Sequence, residues 1–132
     1  MYNSFERALY YNECTFKGNN AGQNSMQLMS SQAYIENSFF LDNIGHGSNH
    51  GINMITSTAE IYNSTITYSD KSINLFDVQN IDCGFFSMFL GSHLSLGRNT
   101  EISKLNALNQ AVLCAFSQST LNITDGVRFF DN

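Results

Sequence analysis

Ala33-Tyr34-Ile35-Glu36-Asn37-Ser38-Phe39-Phe40-Leu41-Asp42-Asn43 is nearly rewritten 26 residues later as Ala59-Glu60-Ile61-Tyr62-Asn63-Ser64-Thr65-Ile66. Met26-Gln27-Leu28-Met29 and Ile52-Asn53-Met54-Ile55 align at the same shift, and Leu9-Tyr10-Tyr11-Asn12-Glu13-Cys14-Thr15-Phe16-Lys17-Gly18-Asn19 matches the first segment at a shift of 24. Towards the C-terminus the pattern thins. Val112-Leu113-Cys114 followed by Leu121-Asn122-Ile123 keeps the nine-residue gap of Ile52 to Ile61, and Phe85 to Leu94 keeps it again. Phe85 to Val112 spans 27 residues but Ile52 to Phe85 spans 33, which places about seven extra residues in one long unit, around positions 67–80.

Inside each unit the apolar residues alternate with polar ones: Ile35 with Asn37, Ile52 with Met54 across Asn53, Ile61 with Asn63, Leu121 with Ile123. A period of two is the mark of a strand. The runs are short and rich in Ile, Phe, Tyr and Thr, and Gly, Asn, Ser and Asp separate them as turns require. The one helical candidate is residues 103–110, long enough for one or two turns. Self-similarity every 24–27 residues fits a parallel β-helix better than a sandwich. The expectation is an all-β solenoid of about five coils with one longer coil, a single unit from Met1 to Asn132. Equivalent residues would stack at the ~4.8 Å spacing of paired strands.

Composition agrees. The chain has 132 residues, 42 % hydrophobic and 13 % aromatic, which excludes a disordered chain. Charged residues make up only 13 %, and there is no proline, while Asn (17) and Ser (16) abound. Like charges stacked in register repel, asparagines in register form amide ladders, and proline interrupts ladder hydrogen bonds. Asn37 and Asn63 are expected in an inward ladder. The net charge of −5, with cations scattered singly, argues against nucleic acid as a partner. No apolar run reaches the length of a membrane span. Cys14, Cys83 and Cys114 lie far apart, the pattern of mostly buried thiols rather than of a zinc site or a disulfide framework, with a Cys14–Cys83 bridge as the alternative.

Phe16-Lys17-Gly18-Asn19, Phe40-Leu41-Asp42-Asn43 and Phe129-Phe130-Asp131-Asn132 each read F-x-x-N. His50-Gly51-Ile52-Asn53 stands where a G-G-A-[ILV] element would precede a strand. The text resembles the right-handed parallel β-helix repeat of polymorphic outer-membrane proteins and of the broader pectin-lyase-like superfamily. The resemblance implies a right-handed solenoid, and it is a repeat signature rather than an active-site signature.

Within that resemblance, Gly45-His46-Gly47 matches a G-H-G triplet of the pectin-hydrolysing branch, which makes His46 a catalytic candidate. The paired aspartates and the N-T-D, D-D and R-I-K elements of that branch are absent, and no two acidic residues are adjacent. Asp125 with Arg128 is the best local acid–base pair, and Arg98 and Arg128, about one repeat apart, are candidates for a shared face. His46, His50 and His93 read as surface histidines rather than metal ligands, and no cofactor is expected.

Two sequons occur, Asn63-Ser64-Thr65 and Asn122-Ile123-Thr124. Asn122 is expected to align with outward Tyr62 and to be open to glycosylation in a secreted chain; Asn63 is expected to be inward. Tyr10, Tyr34 and Tyr62 are expected at equivalent outward positions on three successive coils, forming a face for sugars or for protein. The chain opens and closes inside a coil, so further coils or other chains are expected to stack at its ends. The functional expectation is a non-enzymatic structural or interaction module, extracellular or at the cell surface, presenting a repeated face to a partner or glycan. The alternative is a fragment of a pectin-lyase-like polysaccharide lyase or hydrolase.

Overall fold

A computed structural model describes residues 7–21, 26–45, 51–69, 85–105 and 113–132. The chain is a parallel β-solenoid, and no helix occurs among the described residues. The first coil carries β1 (Arg7–Asn12), β2 (Thr15–Lys17) and β3 (Asn20–Ala21). The second carries β4 (Met26–Met29), β5 (Ser31–Glu36), β6 (Phe39–Leu41) and β7 (Ile44–Gly45). The third has β8 (Ile52–Ile55), β9 (Thr58–Tyr62) and β10 (Thr65–Thr67). The fourth has β11 (Phe86–Phe89), β12 (His93–Leu96) and β13 (Glu101–Ser103), and the fifth β14 (Leu113–Ala115), β15 (Thr120–Ile123) and β16 (Arg128–Phe130).

Each strand pairs only with its equivalents one coil away. Face one is β4-β8-β11-β14, face two β1-β5-β9-β12-β15 and face three β2-β6-β10-β13-β16, with β3 and β7 as a short further pair. Two faces are five deep and one is four deep, slightly short of five full coils. All described pairs between these strands are parallel, and Ile35 lies opposite Ile61 as the repeat requires. Arg7 pairs with Ser31 and Met26 with Ile52, so the shifts of 24 and 26 also hold.

Beyond the long coil the register differs from expectation. Ile52 pairs with Phe86, not Phe85, and Ile61 pairs with Leu96, not Leu94. The cause is local. Coils two and three turn from face one to face two through a single left-handed residue, Ser30 or Thr56, whereas coils four and five use two, Leu90-Gly91 and Ser117-Gln118. One added corner residue stretches the apolar gap from nine to ten. The extra length falls between β10 and β11 as expected, although residues 70–84 lie outside the described set. Of the helical candidate, Ser103 ends β13, and residues 106–110 also lie outside it.

The inward columns form the core: Ala33, Ala59 and Leu94; Ile35, Ile61 and Leu96; Phe40, Ile66 and Ile102; Leu28, Met54 and Met88, all buried. Phe16 stacks on Phe40 with ring centroids 4.5 Å apart and planes 10° apart. Stacking places like beside like, so apolar columns bury themselves.

The corners are held by side-chain columns that close the backbone's hydrogen bonds. Ser31, Ser57, Ser92 and Ser119 line the corner between faces one and two. Each hydroxyl donates to a carbonyl of its own corner, and those of Ser57, Ser92 and Ser119 accept the amide N–H of the serine one coil earlier at 3.1–3.2 Å. At the next corner the Ser38 hydroxyl accepts the Cys14 N–H and the Ser64 hydroxyl accepts the Ser38 N–H. After face three, the asparagine of F-x-x-N bridges two coils. Asn43 Nδ2 donates to the Phe16 carbonyl and its Oδ1 accepts the Asn19 N–H; Asn132 repeats both bonds with Ile102 and Leu105. The inward asparagine is therefore the one in F-x-x-N, with Asn43 buried. Asn37 and Asn63 do form a ladder, Asn63 to Asn37 to Asn12, but it runs along an exposed corner where both residues adopt positive φ.

Two outcomes follow. Ser57→Ala leaves the half-buried Ser31 N–H without its acceptor and should cost about 0.5–1.5 kcal/mol in chemical denaturation, against less than about 0.5 kcal/mol for a substitution at exposed Thr15. Tyr68 is buried and donates its hydroxyl to the Asn43 carbonyl. Burial, and secondarily the charge of Asp42, push its phenol above the ordinary 10.0. Above pH ~10 the unfolded chain loses this proton while the folded chain keeps it, so stability present below that pH falls as the pH rises further. In alkaline denaturation, Tyr68→Phe should flatten this decline.

Candidate functional site

The outward side of face two carries the aromatic groups that the sequence singles out. Tyr10 and Tyr34 are direct partners across β1 and β5, and their rings stack at 5.0 Å and 11°. Tyr10 is 75 % exposed, an unusual position for so large an apolar surface. Tyr62 does not continue that column. Tyr34 lies opposite Glu60, and Tyr62 lies opposite Glu36, two residues further along. Outward positions recur every second residue, so Tyr62 shares the face but begins a neighbouring column.

Tyr62 is positioned by what is missing one coil later. Ile61 pairs with Leu96, which brings Gly97 to the position beside Tyr62. The Tyr62 ring lies over this glycine so closely that a Cβ there would fall 1.7 Å from the ring. Its hydroxyl donates to Glu60 at 3.0 Å. That bond, then burial, then the charge of Glu60, raise the phenol above its ordinary value.

These rings line a groove that runs along the solenoid axis over the corner between faces two and three. Glu36, Arg98 and Asp125 complete its wall. Arg98 sits in the turn after β12, where its carbonyl accepts the Asn63 N–H at 3.0 Å. Its exposed guanidinium forms no hydrogen bond or ion pair among the described residues. One end of the groove is therefore an aromatic platform and the other a cation beside a carboxylate.

The remaining candidates do not converge on it. The expected Asp125–Arg128 pair does not form: Arg128 opens β16 opposite Glu101 and makes its ion pair there. Arg98 and Arg128 also part company, since one lies in the corner turn and the other on face three. Glu36 and Asp125 stand three coils apart, ~14 Å of backbone at the strand spacing, beyond the roughly 5–9.5 Å over which paired carboxylates cleave a glycosidic bond. His46 and His50 lie outside the described residues. His93 is in β12, its ring nitrogens against the hydroxyls of Thr120 and Ser95. Cys14 is a half-buried thiol in contact with the Asn12 carbonyl rather than half of a bridge; Cys83 lies outside the described residues.

Asn122 is exposed on β15, but its partner is Ser95, in line with Glu60 rather than Tyr62. The outward direction holds while the column changes. Asn63 is also exposed, which overturns its inward assignment.

Gly97 and Glu36 escaped the sequence reading. The signal for Gly97 was present, because a large outward residue opposite a glycine invites coverage, but the corner insertion hid which residues were opposite. No family model, curated protein or solved structure matches the chain.

Proposed function

We propose that the chain is a non-enzymatic interaction module, a rigid β-helical segment of a larger secreted or surface protein that presents its face-two groove to a glycan or to a partner protein. The observation that carries this reading is the exposed Tyr10–Tyr34 stack, continued by Tyr62 and ending at Arg98. Aromatic faces bind the apolar face of a sugar ring or a partner's side chain, and the Arg98 guanidinium supplies directional hydrogen bonds. The solenoid contributes stiffness: the platform sits on paired strands, so little conformational freedom is lost on binding. If the chain is secreted, the sequon at exposed Asn122 leaves that side chain open to glycosylation.

A glycan array followed by titration of the best binder tests this. Tyr34→Ala should weaken binding about tenfold, from the roughly 0.5–1.5 kcal/mol of an aromatic contact plus its buried area. Gly97→Ala should displace the Tyr62 ring and weaken binding without unfolding the chain. Incubation with acidic and neutral polysaccharides should release no new ends; turnover abolished by Asp125→Ala would overturn the reading.

A further inference from the structure

Tyr34 and Glu36 on β5, with Glu60 and Tyr62 on β9, form a square on the outward side of face two. Tyr34 lies opposite Glu60 and Glu36 opposite Tyr62, so the phenols occupy one diagonal and the carboxylates the other. The square belongs to the second and third coils, and β5 and β9 have a paired strand on each side. Each ring is backed on one side. Tyr10 of the first coil stacks on Tyr34, whose other side turns towards the third coil, where Glu60 is its partner. Tyr62 rests on Gly97 of the fourth coil, and its other side turns towards Glu36. The surrounding outward positions, Tyr10, Asn12, Gln32, Thr58 and Ser95, carry no charge. Neither glutamate forms an ion pair among the described residues. An aromatic face is negative, so a carboxylate beside it is repelled, whereas a cation between the two is attracted by both.

Given the groove as the binding face, we infer that this square takes an arginine side chain from an extended segment of a partner protein, with the guanidinium between the Tyr34 and Tyr62 rings and its N–H groups donated to Glu36 and Glu60. Charge complementarity selects a cation, because two acids without a counter-ion stand in an otherwise uncharged field. Shape selects a flat one. The Tyr34 and Tyr62 backbone positions lie roughly 8 Å apart, from the rise of two residues and the spacing of one strand, and two rings each in contact at about 3.5–4 Å hold one plane between them. A guanidinium stacks on aromatic faces and donates in a fork to carboxylates, whereas an ammonium acts as a point charge. A neutral sugar brings no charge to offset the two acids. The Tyr62 hydroxyl donates to Glu60 at 3.0 Å, which orients that carboxylate before any ligand arrives. Arg98, one coil on, repels a second cation beyond Tyr62 and limits the site to one arginine. The groove continues past the square to Asp125 on the fifth coil, which leaves room for the residues flanking the arginine.

Titration of the 132-residue chain by NMR with the acetylated, amidated peptide Gly-Ser-Arg-Ser-Gly tests this, beside the same peptide carrying lysine, citrulline or glutamate at its centre. The arginine peptide should bind with a dissociation constant of about 1 mM or tighter, and shifts should centre on Tyr34, Glu36, Glu60 and Tyr62. Citrulline keeps the shape without the charge and should bind at least about tenfold more weakly, and lysine about threefold. Glu36→Gln and Glu60→Gln should each weaken the arginine peptide about fivefold, with circular dichroism confirming the fold. Glu101→Gln removes the same charge on face three and should leave binding unchanged. Equal binding of the citrulline peptide, undiminished binding in both glutamine variants, or free N-acetyl-arginine amide binding as tightly as the peptide would each overturn the inference. A glycan whose binding falls in Tyr34→Ala but not in Glu36→Gln would also overturn it while leaving the groove as the binding face. If Tyr34→Ala weakens neither peptide nor glycan, the groove reading fails as well.

Discussion

Parallel pairing between consecutive coils is the constraint on which everything else rests. Every strand finds its backbone partners one circuit away, so each residue sits between its own equivalents. A side chain is acceptable only if it tolerates near-copies of itself above and below. Ile on Ile, Phe on Phe and Ser on Ser satisfy this in three ways: by burying area, by stacking rings, and by passing a hydrogen bond along. The scarcity of charge and the absence of proline follow from the same requirement.

How far the fold could be read from the text depended on where the circuit length stayed constant. Through Tyr62 the repeat gave the register residue by residue, and Ile35 opposite Ile61 followed directly. After the long coil the corners gained a residue, and apolar spacing could not reveal it, since Leu94 and Leu96 are both inward and a shift by two keeps the hydrophobic pattern intact. A slip of one normally exposes the core, but on face one it was silent too, because Phe85 and Phe86 are both apolar and both buried. A slip of two is silent to hydrophobicity, and it misplaced both Asn122 and the residues facing Tyr62.

Asparagine misled for a related reason. The repeated Asn37 and Asn63 drew attention because they stand beside apolar residues, yet they occupy the left-handed corner, where Asn is tolerated for its backbone preference. The bridging role fell to Asn43, which is buried, and to Asn132, both already visible as the last letter of F-x-x-N. The groove was half legible: two tyrosines at the correct shift were in the text, whereas Gly97 and Arg98 reach it only through the corner geometry of the fourth coil.

The corner bonds also determine how such a chain can change in length. Each serine or asparagine bridge joins one circuit to the next, so duplication of an entire circuit preserves every bridge, and a single added residue is accepted beside a bridge, as at Leu90-Gly91, where the Ser92 hydroxyl still accepts the Ser57 N–H. The third coil shows where a partial insertion survives. It falls after face three, where Ser69 stands in place of the bridging asparagine and is tied instead, through its N–H and hydroxyl, to Asp42. A chain built this way can grow by whole rungs, or take extra residues beside a bridging position, without rebuilding the ladder beneath.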